Sequence, residues 1–504
     1  MLHMSFKVAF VGAGSIGFTR TLLTDLLSVP EFNSLEIAFT DINAKNLDMV
    51  TQLCQRDIRS NGLDIRISAT LDRKEALKNA KYVFNMVRIG GLEAFSADID
   101  IPLKYGVDQC VGDTLCAGGI MYGQRGIAFM LELCQDIRTL AAPGCILLNY
   151  SNPNAMMTWA ANQYGNVHTI GLCHGVTNGI EQIAQAFKLP AKELDVICAG
   201  INHQTWYIRV MHKGVDLLPK MLETFEKDPE LSRTEKVRID VMRRFGYYST
   251  ESNGHLSEYL AWYRKRPDEI SRWIDLSCWI NGETGGYLRV CTEGRNWFET
   301  DFPNWLNAPP AVYDYEKRGK EHGSYIIEAL ETGRRYRGHF NVVNNHTISN
   351  LPEDAIVEVP AYVDGNGISV PRVGPLPLGC AAICNQSISV QRLAVEAAVR
   401  GDINLLRQAF LLDPLTGAVC NPPEVWQMVD EMLIAQQKWL PQYRHEIPAA
   451  QKRLAENPPP ASGSYKGAAR LHIRTVEEMA QNADKARANA AAADKANKHQ
   501  SKQS

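Results

Sequence analysis

The chain has 504 residues, of which 45% are hydrophobic and 22% charged, and its formal net charge is −3. This length predicts two or three connected lobes, and the composition is typical of a globular protein. The near-neutral charge argues against the strongly basic surfaces that bind nucleic acids and gives no reason to expect electrostatic docking on membranes.

The N-terminus and the cysteines predict a cytoplasmic protein. The sequence begins without a charged and apolar leader, and no apolar run reaches the roughly 18 to 20 residues that span a bilayer. The 12 cysteines are scattered without the spacing of a disulfide framework, which is typical of reduced thiols. We therefore expect thiolates that are free to bind metal and no membrane partner.

Short apolar runs alternate with helix-like segments through the first part of the chain. Alternation of this kind predicts an α/β fold with a Rossmann-like, doubly wound parallel sheet. The predicted strands cover residues 6–12, 35–42, 64–72, 82–87, 144–153 and 166–173.

The pattern then changes to mixed α+β. A strand-like stretch covers 196–210, and connections rich in glycine and proline cover 351–382. The apolar spacing predicts amphipathic helices at 393–414 and 423–440.

These changes predict three segments. Residues 5–195 form a dinucleotide-binding domain, and residues 196–456 form a domain for substrate, metal and oligomerisation. Residues 457–504 are an Ala- and Lys-rich tail, predicted to be disordered or a frayed helix.

The sequence GAGSIG follows the first predicted strand. Its three glycines have the spacing G-x-G-x-x-G, which allows a tight turn, a close approach of pyrophosphate and close packing of helix on strand. Asp41 ends the second strand, where its carboxylate accepts hydrogen bonds from ribose hydroxyls and repels a 2′-phosphate. The unit predicts NAD rather than NADP, the alternative being a tight turn without a ligand. The predicted cofactor contacts are Gly12, Gly14, Ser15, Ile16, Gly17 and Asp41.

Two later strands end in polar loops at the same edge of the predicted sheet. Arg88 and Gly90 follow the fourth strand and either contact the cofactor or form a plain loop. Asn149 and Asn152 follow the next, and their amides suit sugar hydroxyls or a nicotinamide. An Asx turn before Pro153 is the alternative for these asparagines.

Cys173 and His203 each follow a strand, and His174 is adjacent to the cysteine. A thiolate and an imidazole form half a coordination shell for a divalent ion that keeps open positions for substrate oxygens. Ordinary packing of isolated Cys and His side chains is the alternative.

The combination of motifs resembles glycoside hydrolase family 4 over residues 5–445. The similarity is greatest with the melibiase-type α-galactosidases, through TESNGHLSEYLAW at 250–262. The other motifs, in family order, are GAGSIG, VGDTLCAGGI (111–120), NYSNPNAMMTWA (149–160), GLCHGV (171–176), AGINH (199–203) and NLPEDAIVEVPAYVDGNGI (350–368).

This resemblance implies a fold like that of lactate and malate dehydrogenases and an NAD-dependent glycosidase, an exception to two-carboxylate hydrolysis. A divalent metal, Mn²⁺, is implied at Cys173 and His203. The implied reaction oxidises C3 of the sugar, removes the C2 proton, eliminates the aglycone, adds water and returns the hydride, without net redox change. A homodimer or homotetramer is also implied.

The resemblance also implies acid and base roles. His174 occupies the position of the acid that assists the leaving group, and Asp113 that of an acid which makes the base more basic. The family's C2 base is a tyrosine, and the matching stretch leaves His255, Tyr259 and Glu251 open. An exposed helix face is the alternative for Glu251 and Glu258.

Differences within the family bear on the substrate, an α-glycoside. Phospho-sugar members carry Cys-Asn or Cys-Asp instead of Cys173-His174, and an Arg near Phe95, so a non-phosphorylated galactoside is expected. Gly175 replaces the Ser of α-galactosidases and the Glu of galacturonidases. An anionic α-glucuronide, α-galacturonide or α-sulfoquinovoside is the alternative, and it requires a cation in the pocket. The candidate cations are Arg88, Arg125 and Arg289.

Two other classes are less consistent with the residues. A 2-hydroxy-acid dehydrogenase shares the glycine motif, but the chain lacks an obvious Arg/His catalytic set. A catalytically inactive NAD sensor is the third hypothesis.

Overall fold

The computed structural model describes residues 4–278, 280–460 and 465–500, without the side chains of Ile16 and of residues 491–500. The strands are β1 (Lys7–Val11), β2 (Glu36–Thr40), β3 (Ile67–Thr70), β4 (Ala80–Asn85), β5 (Ile146–Asn149), β6 (Thr169–Gly171), β7 (Leu194–Ile201), β8 (Gln204–His212), β9 (Val215–Asp216), β10 (Tyr336–Val343), β11 (Ile356–Asp364) and β12 (Gly367–Ser369).

The helices fall between and after these strands. They are α1 (Ile16–Leu27), α2 (Ala44–Ser60), α3 (Arg73–Leu77), α4 (Gly91–Lys104), α5 (Cys116–Leu140), α6 (Asn154–Gln163), α7 (Gly175–Phe187), α8 (Leu218–Lys227), α9 (Leu231–Thr234), α10 (Lys236–Phe245), α11 (Asn253–Tyr259), α12 (Pro267–Ile270), α13 (Gly286–Asn307), α14 (His322–Thr332), α15 (Leu378–Arg400), α16 (Ile403–Leu412), α17 (Pro414–Val419), α18 (Pro422–Gln436), α19 (Ile447–Glu456) and α20 (Val476–Gln500).

One sheet runs through the molecule in the order β3-β2-β1-β4-β5-β6-β10-β11-β7-β8-β9, with β12 beside β11. The first six strands are parallel, and β10 joins β6 antiparallel through Asn341 opposite Gly171. The predicted Rossmann-like α/β class with a mixed α+β C-terminal part is confirmed. The division of the chain at residue 195 stays a prediction.

The inner parallel strands are mostly buried because helices cover both faces of the sheet, whereas β3 at the edge exposes Ser68 and Ala69. In β1, Val8 to Val11 are all buried, and β4 exposes one residue in six. One apolar core packs beneath α5, α6 and α15, and a second packs beneath α1, α2 and α14.

Three local predictions were wrong in detail. The stretch 196–210 is a hairpin of β7 and β8 that reverses at Asn202–His203, where His203 takes φ +63°, a turn that no glycine or proline signals. The connection predicted at 351–382 contains β11, a buried strand between β10 and β7, because its apolar pattern outweighs the single N–H that Pro360 removes.

The third error concerns the predicted helix at 393–414. α15 already begins at Leu378 and ends at Arg400, before Gly401, which takes φ +65°, and α16 starts a new helix. The Asp402 carboxylate caps α16 by accepting from the Asn404 and Leu405 N–H groups at 2.8 and 3.2 Å. The helix predicted at 423–440 is present as α18, which begins one residue earlier and ends four residues earlier.

The described part of the tail is ordered by polar contacts. The Tyr465 hydroxyl and the Ala468 N–H each donate to the buried Asp108 carboxylate at 2.9 Å. The Arg474 guanidinium pairs with Glu293 on α13, and α20 follows. The description of residues 457–504 as a disordered tail or a frayed helix stays a prediction, and residues 461–464 and 501–504 lie outside the described residues. Within the described ranges, no helix is long and apolar enough to cross a membrane.

Candidate functional site

Most of the predicted site residues lie at one edge of the sheet. β1, β2, β4, β5 and β6 are parallel, so the loops that follow them meet at their C-terminal ends. The strand order reverses between β1 and β4, which is where ligands bind in doubly wound sheets.

The glycine loop is fastened to the end of β2. Asp41 accepts a hydrogen bond from the Gly14 N–H at 2.8 Å, and a Cβ on Gly14 would lie 2.8 Å from the same carboxylate. Gly12 takes φ +88° and a Cβ there would lie 3.0 Å from the Met86 carbonyl. Both glycines are thus required by close backbone approaches, and Asp41 lies beside the loop.

The rest of the motif differs in one respect from the prediction. Ser15 precedes α1 and Ile16 begins it, although the Ile16 side chain lies outside the described residues. A Cβ on Gly17 would meet nothing within 4 Å, so close helix–strand packing does not require this glycine. The open space in front of Gly17 leaves room for a ligand at the helix N-terminus.

The loop after β4 carries Arg88 and Gly90. The guanidinium of Arg88 lies 4.2 Å from the Phe95 ring centre and 3.3 Å from Asp113. Gly90 takes φ +85° at the start of α4, where a Cβ would lie 2.3 Å from that of Ala94. Arg88 therefore contacts the site through Asp113, and Gly90 serves the turn.

The two asparagines after β5 have different surroundings. Asn149 is buried, and both ends of its amide bond within the protein, to Asn85 at 2.8 Å and to the Ser151 carbonyl at 3.0 Å. The Asn152 amide instead donates to Asp113 at 3.0 Å. Asn152 thus lies in the site, whereas Asn149 supports the loop.

Three ligand-type atoms meet where β6, the β7–β8 turn and the segment before α11 converge. The Sγ of Cys173 lies 3.5 Å from Oε2 of Glu251, and Nε2 of His203 lies 3.3 Å from the same oxygen. All three atoms lie within 4.8 Å of one another. A thiolate, an imidazole and a carboxylate are a donor set suited to a divalent transition metal.

A hydrogen-bond chain fixes the tautomer of His203. The Thr114 hydroxyl donates to Asp113 at 2.9 Å, so it accepts from Nδ1 of His203, also at 2.9 Å. The proton is thereby assigned to Nδ1, and the lone pair of Nε2 faces the Glu251 carboxylate. Metal-binding imidazoles are commonly oriented by such an outer hydrogen bond.

The surroundings of Cys173 also fit a metal ligand. Burial, and then the carboxylates of Glu251 and Glu358, raise the pKa of this thiol well above its ordinary value. The Gly175 N–H donates to the sulfur at 3.4 Å. A thiolate in this place therefore needs a nearby cation.

His174 contacts Glu321, a carboxylate that is not one of the three ligand-type groups. Its Nδ1 lies 3.2 Å from Glu321, and its side chain is 39% exposed. The hydrogen bond to Glu321 outweighs burial and raises the pKa of His174 to about 9. The imidazole is therefore protonated at neutral pH, next to Cys173.

Two candidates for the base, His255 and Tyr259, lie on α11, and the third, Glu251, lies just before it. The His255 ring is 4.8 Å from that of His203, and burial and then His203 lower the pKa of His255 to about 4. Tyr259, one turn on, is buried, and its hydroxyl has no hydrogen-bond partner among the described residues. Burial disfavours a charged Glu251, but the imidazoles of His203 and its neighbours outweigh it and lower the pKa to about 2.

Sequence reasoning missed the role of Glu258, for which it offered an exposed helix face. The side chain is fully buried and accepts from the N–H groups of Cys110, Val111 and Gly112 at 2.7, 2.9 and 2.9 Å. Glu258 thereby holds the loop that carries Asp113. The position of Glu258 one residue before Tyr259 in the α11 motif was the only signal available.

The other two candidate cations are already paired. Arg125 and Asp98 form a fully buried pair, with oxygen–nitrogen distances of 2.9 and 2.6 Å. Arg289 pairs with Glu283 at 2.7 Å and with Glu293 at 3.2 Å. Neither guanidinium is free to receive an anionic sugar.

Comparisons with known proteins agree on one family. The "Family 4 glycosyl hydrolase" model matches residues 7–189, and the model of its C-terminal domain matches residues 198–416. The chain is 58% identical to a protein of Rhizobium meliloti (strain 1021) named alpha-galactosidase, over 94% of this chain and 97% of that protein.

Two further relatives cover nearly the whole of the same region. A Bacillus subtilis (strain 168) protein named alpha-galactosidase is 34% identical over 87% of this chain and all of its own length. The crystal structure of a 6-phospho-alpha-glucosidase from gut microorganisms, in complex with NAD and glucose-6-phosphate, has a TM-score of 0.73 and 26% identity. It covers 87% of this chain and 99% of its own.

Proposed function

The chain belongs to family 4 of the glycosyl hydrolases, and we propose that it cleaves α-galactosides that carry no phosphate. The observation that carries the choice of sugar is the 58% identity to the Rhizobium meliloti alpha-galactosidase, over almost the full length of both chains. That similarity extends over 476 residues, so little of the chain lies outside it.

The charges around the site support a neutral sugar. An anionic glycoside needs an unpaired cation to compensate its desolvation. Arg88, Arg125 and Arg289 each have a carboxylate partner within 3.3 Å. The anionic glycosides are therefore the second candidate and one outcome of the test below.

We propose NAD⁺ and a divalent metal, Mn²⁺, as cofactors. The glycine loop and Asp41 would hold NAD⁺, as the NAD complex of the 6-phospho-alpha-glucosidase also suggests. Cys173 and His203 would hold the metal. When bound, these groups supply a hydride acceptor and a Lewis acid for the sugar oxygens.

The side chains around them have three tasks. His174 lies at the exposed side of the site, beside Cys173, and donates a proton to the departing oxygen. His255 or Tyr259 takes the proton from C2 of the sugar, and Asp113 connects Arg88 and Asn152 to His203 through Thr114. No pair of opposed carboxylates is required for this sequence of steps.

The test is a panel of aryl α-glycosides assayed with NAD⁺, Mn²⁺ and a thiol reductant. We expect the galactoside to be hydrolysed fastest, without accumulation of NADH, and the released galactose to carry deuterium at C2 when the solvent is D₂O. Turnover of the uronides or sulfoquinovoside alone would contradict the proposal that the substrate is a galactoside. Stoichiometric formation of NADH without cleavage of the glycoside would contradict a hydrolase and favour a dehydrogenase.

We further propose that the enzyme works in the cytoplasm as a homodimer or homotetramer. All 12 cysteines are unpaired, and ten of them are buried, which suits a reducing compartment. Sedimentation of the purified chain tests the assembly, and a monomer at micromolar concentration would contradict it.

A further inference from the structure

We infer that Glu251 is a third protein ligand to the metal, and that Gly175 is the residue that gives its carboxylate room. This inference rests on the proposed metal site at Cys173 and His203. It removes Glu251 from the candidates for the C2 base.

The distances match those of ligands around one ion. Oε2 of Glu251 lies 3.5 Å from Sγ of Cys173 and 3.3 Å from Nε2 of His203. Ligands at right angles lie about 3.1 Å apart when each metal bond is about 2.2 Å, and a longer bond to sulfur widens the spacing. The carboxylate therefore stands at a ligand's distance from both other donors.

The chemistry of the contact also calls for a cation. In the neutral ring of His203 the contact with Thr114 places the proton on Nδ1, so Nε2 presents a lone pair to a carboxylate oxygen. Two acceptors that face each other at this distance repel unless a proton or a metal ion lies between them. The adjacent thiol of Cys173 makes a metal ion the occupant that satisfies all three groups.

Gly175 is the local feature that permits this arrangement. A Cβ at this position would lie 2.5 Å from Oε2 of Glu251 and 2.9 Å from its carboxyl carbon. Because the obstructed atoms are the end of a flexible side chain, an alanine moves the carboxylate away while the fold is kept. Gly175 takes no left-handed backbone conformation, so room for Glu251 is the reason for glycine here.

Three protein ligands still leave an open metal. A six-coordinate ion retains three positions, which is enough for two sugar oxygens and a water. The third ligand adds a negative charge and raises affinity for the metal before any substrate binds.

The experiment measures Mn²⁺ binding to the metal-free full-length protein by calorimetry, with Co²⁺ absorption as a second readout. We expect Glu251→Gln and Gly175→Ala to weaken Mn²⁺ binding about 10- to 100-fold, a range typical of lost support around a metal. The thiolate-to-cobalt band should remain in both variants, while the ligand-field bands shift. Cys173→Ser should lose the charge-transfer band altogether.

Two matched controls isolate the contact. Glu321→Gln removes another carboxylate from the same region, one that contacts His174. Gly294→Ala adds a Cβ to a helical glycine that has nothing within 4 Å of that position. Both should bind Mn²⁺ within about twofold of the wild type, and an equal loss in Glu321→Gln would show a general charge effect and overturn the inference.

The outcomes separate this inference from the proposed function. Wild-type affinity in Glu251→Gln, with binding lost in Cys173→Ser, overturns the third ligand and leaves the metal site standing. If Glu251→Gln and Cys173→Ser both bind Mn²⁺ with wild-type affinity, the metal site itself is overturned. If Glu251→Gln fails to fold, Gly175→Ala decides, because it keeps the glutamate and changes only where its carboxylate lies.

Discussion

Glu258 gives the stability of this enzyme a pH dependence that one substitution should remove. Its buried carboxylate accepts three backbone N–H bonds, yet burial outweighs those bonds and raises its pKa from an ordinary 4.5 to about 7. The folded protein therefore holds this proton more tightly than the unfolded chain does. Stability from this group is fully present below about pH 4.5 and is lost as the pH rises through about 7.

The magnitude follows from the gap between the two pKa values. That gap corresponds to about 3 kcal/mol in the free energy of unfolding, of which about 2 kcal/mol is lost between about pH 5 and about pH 8. Glu258→Gln carries no proton to lose. Its amide nitrogen faces the Gly112 N–H, which adds a pH-independent cost of about 1 to 3 kcal/mol for one unsatisfied donor.

The assay is denaturant unfolding of wild type and Glu258→Gln at both pH values. We expect the wild type to be more stable by a margin that shrinks by about 2 kcal/mol at the higher pH. Glu132→Gln, whose side chain is 67% exposed, is the control and should follow the wild type. Parallel stability curves for wild type and Glu258→Gln would refute the reasoning.

Three further predictions follow from single contacts. Arg125→Met leaves the buried Asp98 unpaired and should lower the free energy of unfolding in urea by about 3 to 5 kcal/mol, while the ratio of neutral to anionic glycoside turnover stays the same. A change in this turnover ratio would indicate that Arg125 contacts the substrate. Gly179→Ala places a Cβ 1.9 Å from the Tyr207 hydroxyl and should cost about 1 to 3 kcal/mol in thermal unfolding, and an unchanged midpoint would mean that α7 shifts freely. Asp41→Asn should weaken NAD⁺ binding about tenfold or more in a fluorescence titration, and it should not weaken NADP⁺ binding. Equal losses of affinity for both cofactors would contradict a contact between Asp41 and the ribose.

The sequence alone was sufficient for the sheet and for the family. Parallel strands buried on both faces are continuous apolar runs, so β1, β2, β4, β5 and β6 can be recognised without tertiary information. GAGSIG and Asp41 follow strands directly, and the order of the later motifs identified glycoside hydrolase family 4. Cys173 and His203 could be proposed as ligands because each ends a strand at a sheet edge.

Only the tertiary structure showed which carboxylates are buried at the site and which groups they contact. Glu251 lies 78 residues beyond Cys173, and no local pattern states that the two meet at 3.5 Å. Glu258 has the sequence surroundings of an exposed helix, yet it is fully buried beneath a loop about 147 residues earlier. Periodicity and turn chemistry are properties of neighbouring residues, whereas burial of a carboxylate is set by what folds over it. Gly175 illustrates the difference, because the reason for a glycine there is the position of a distant side chain.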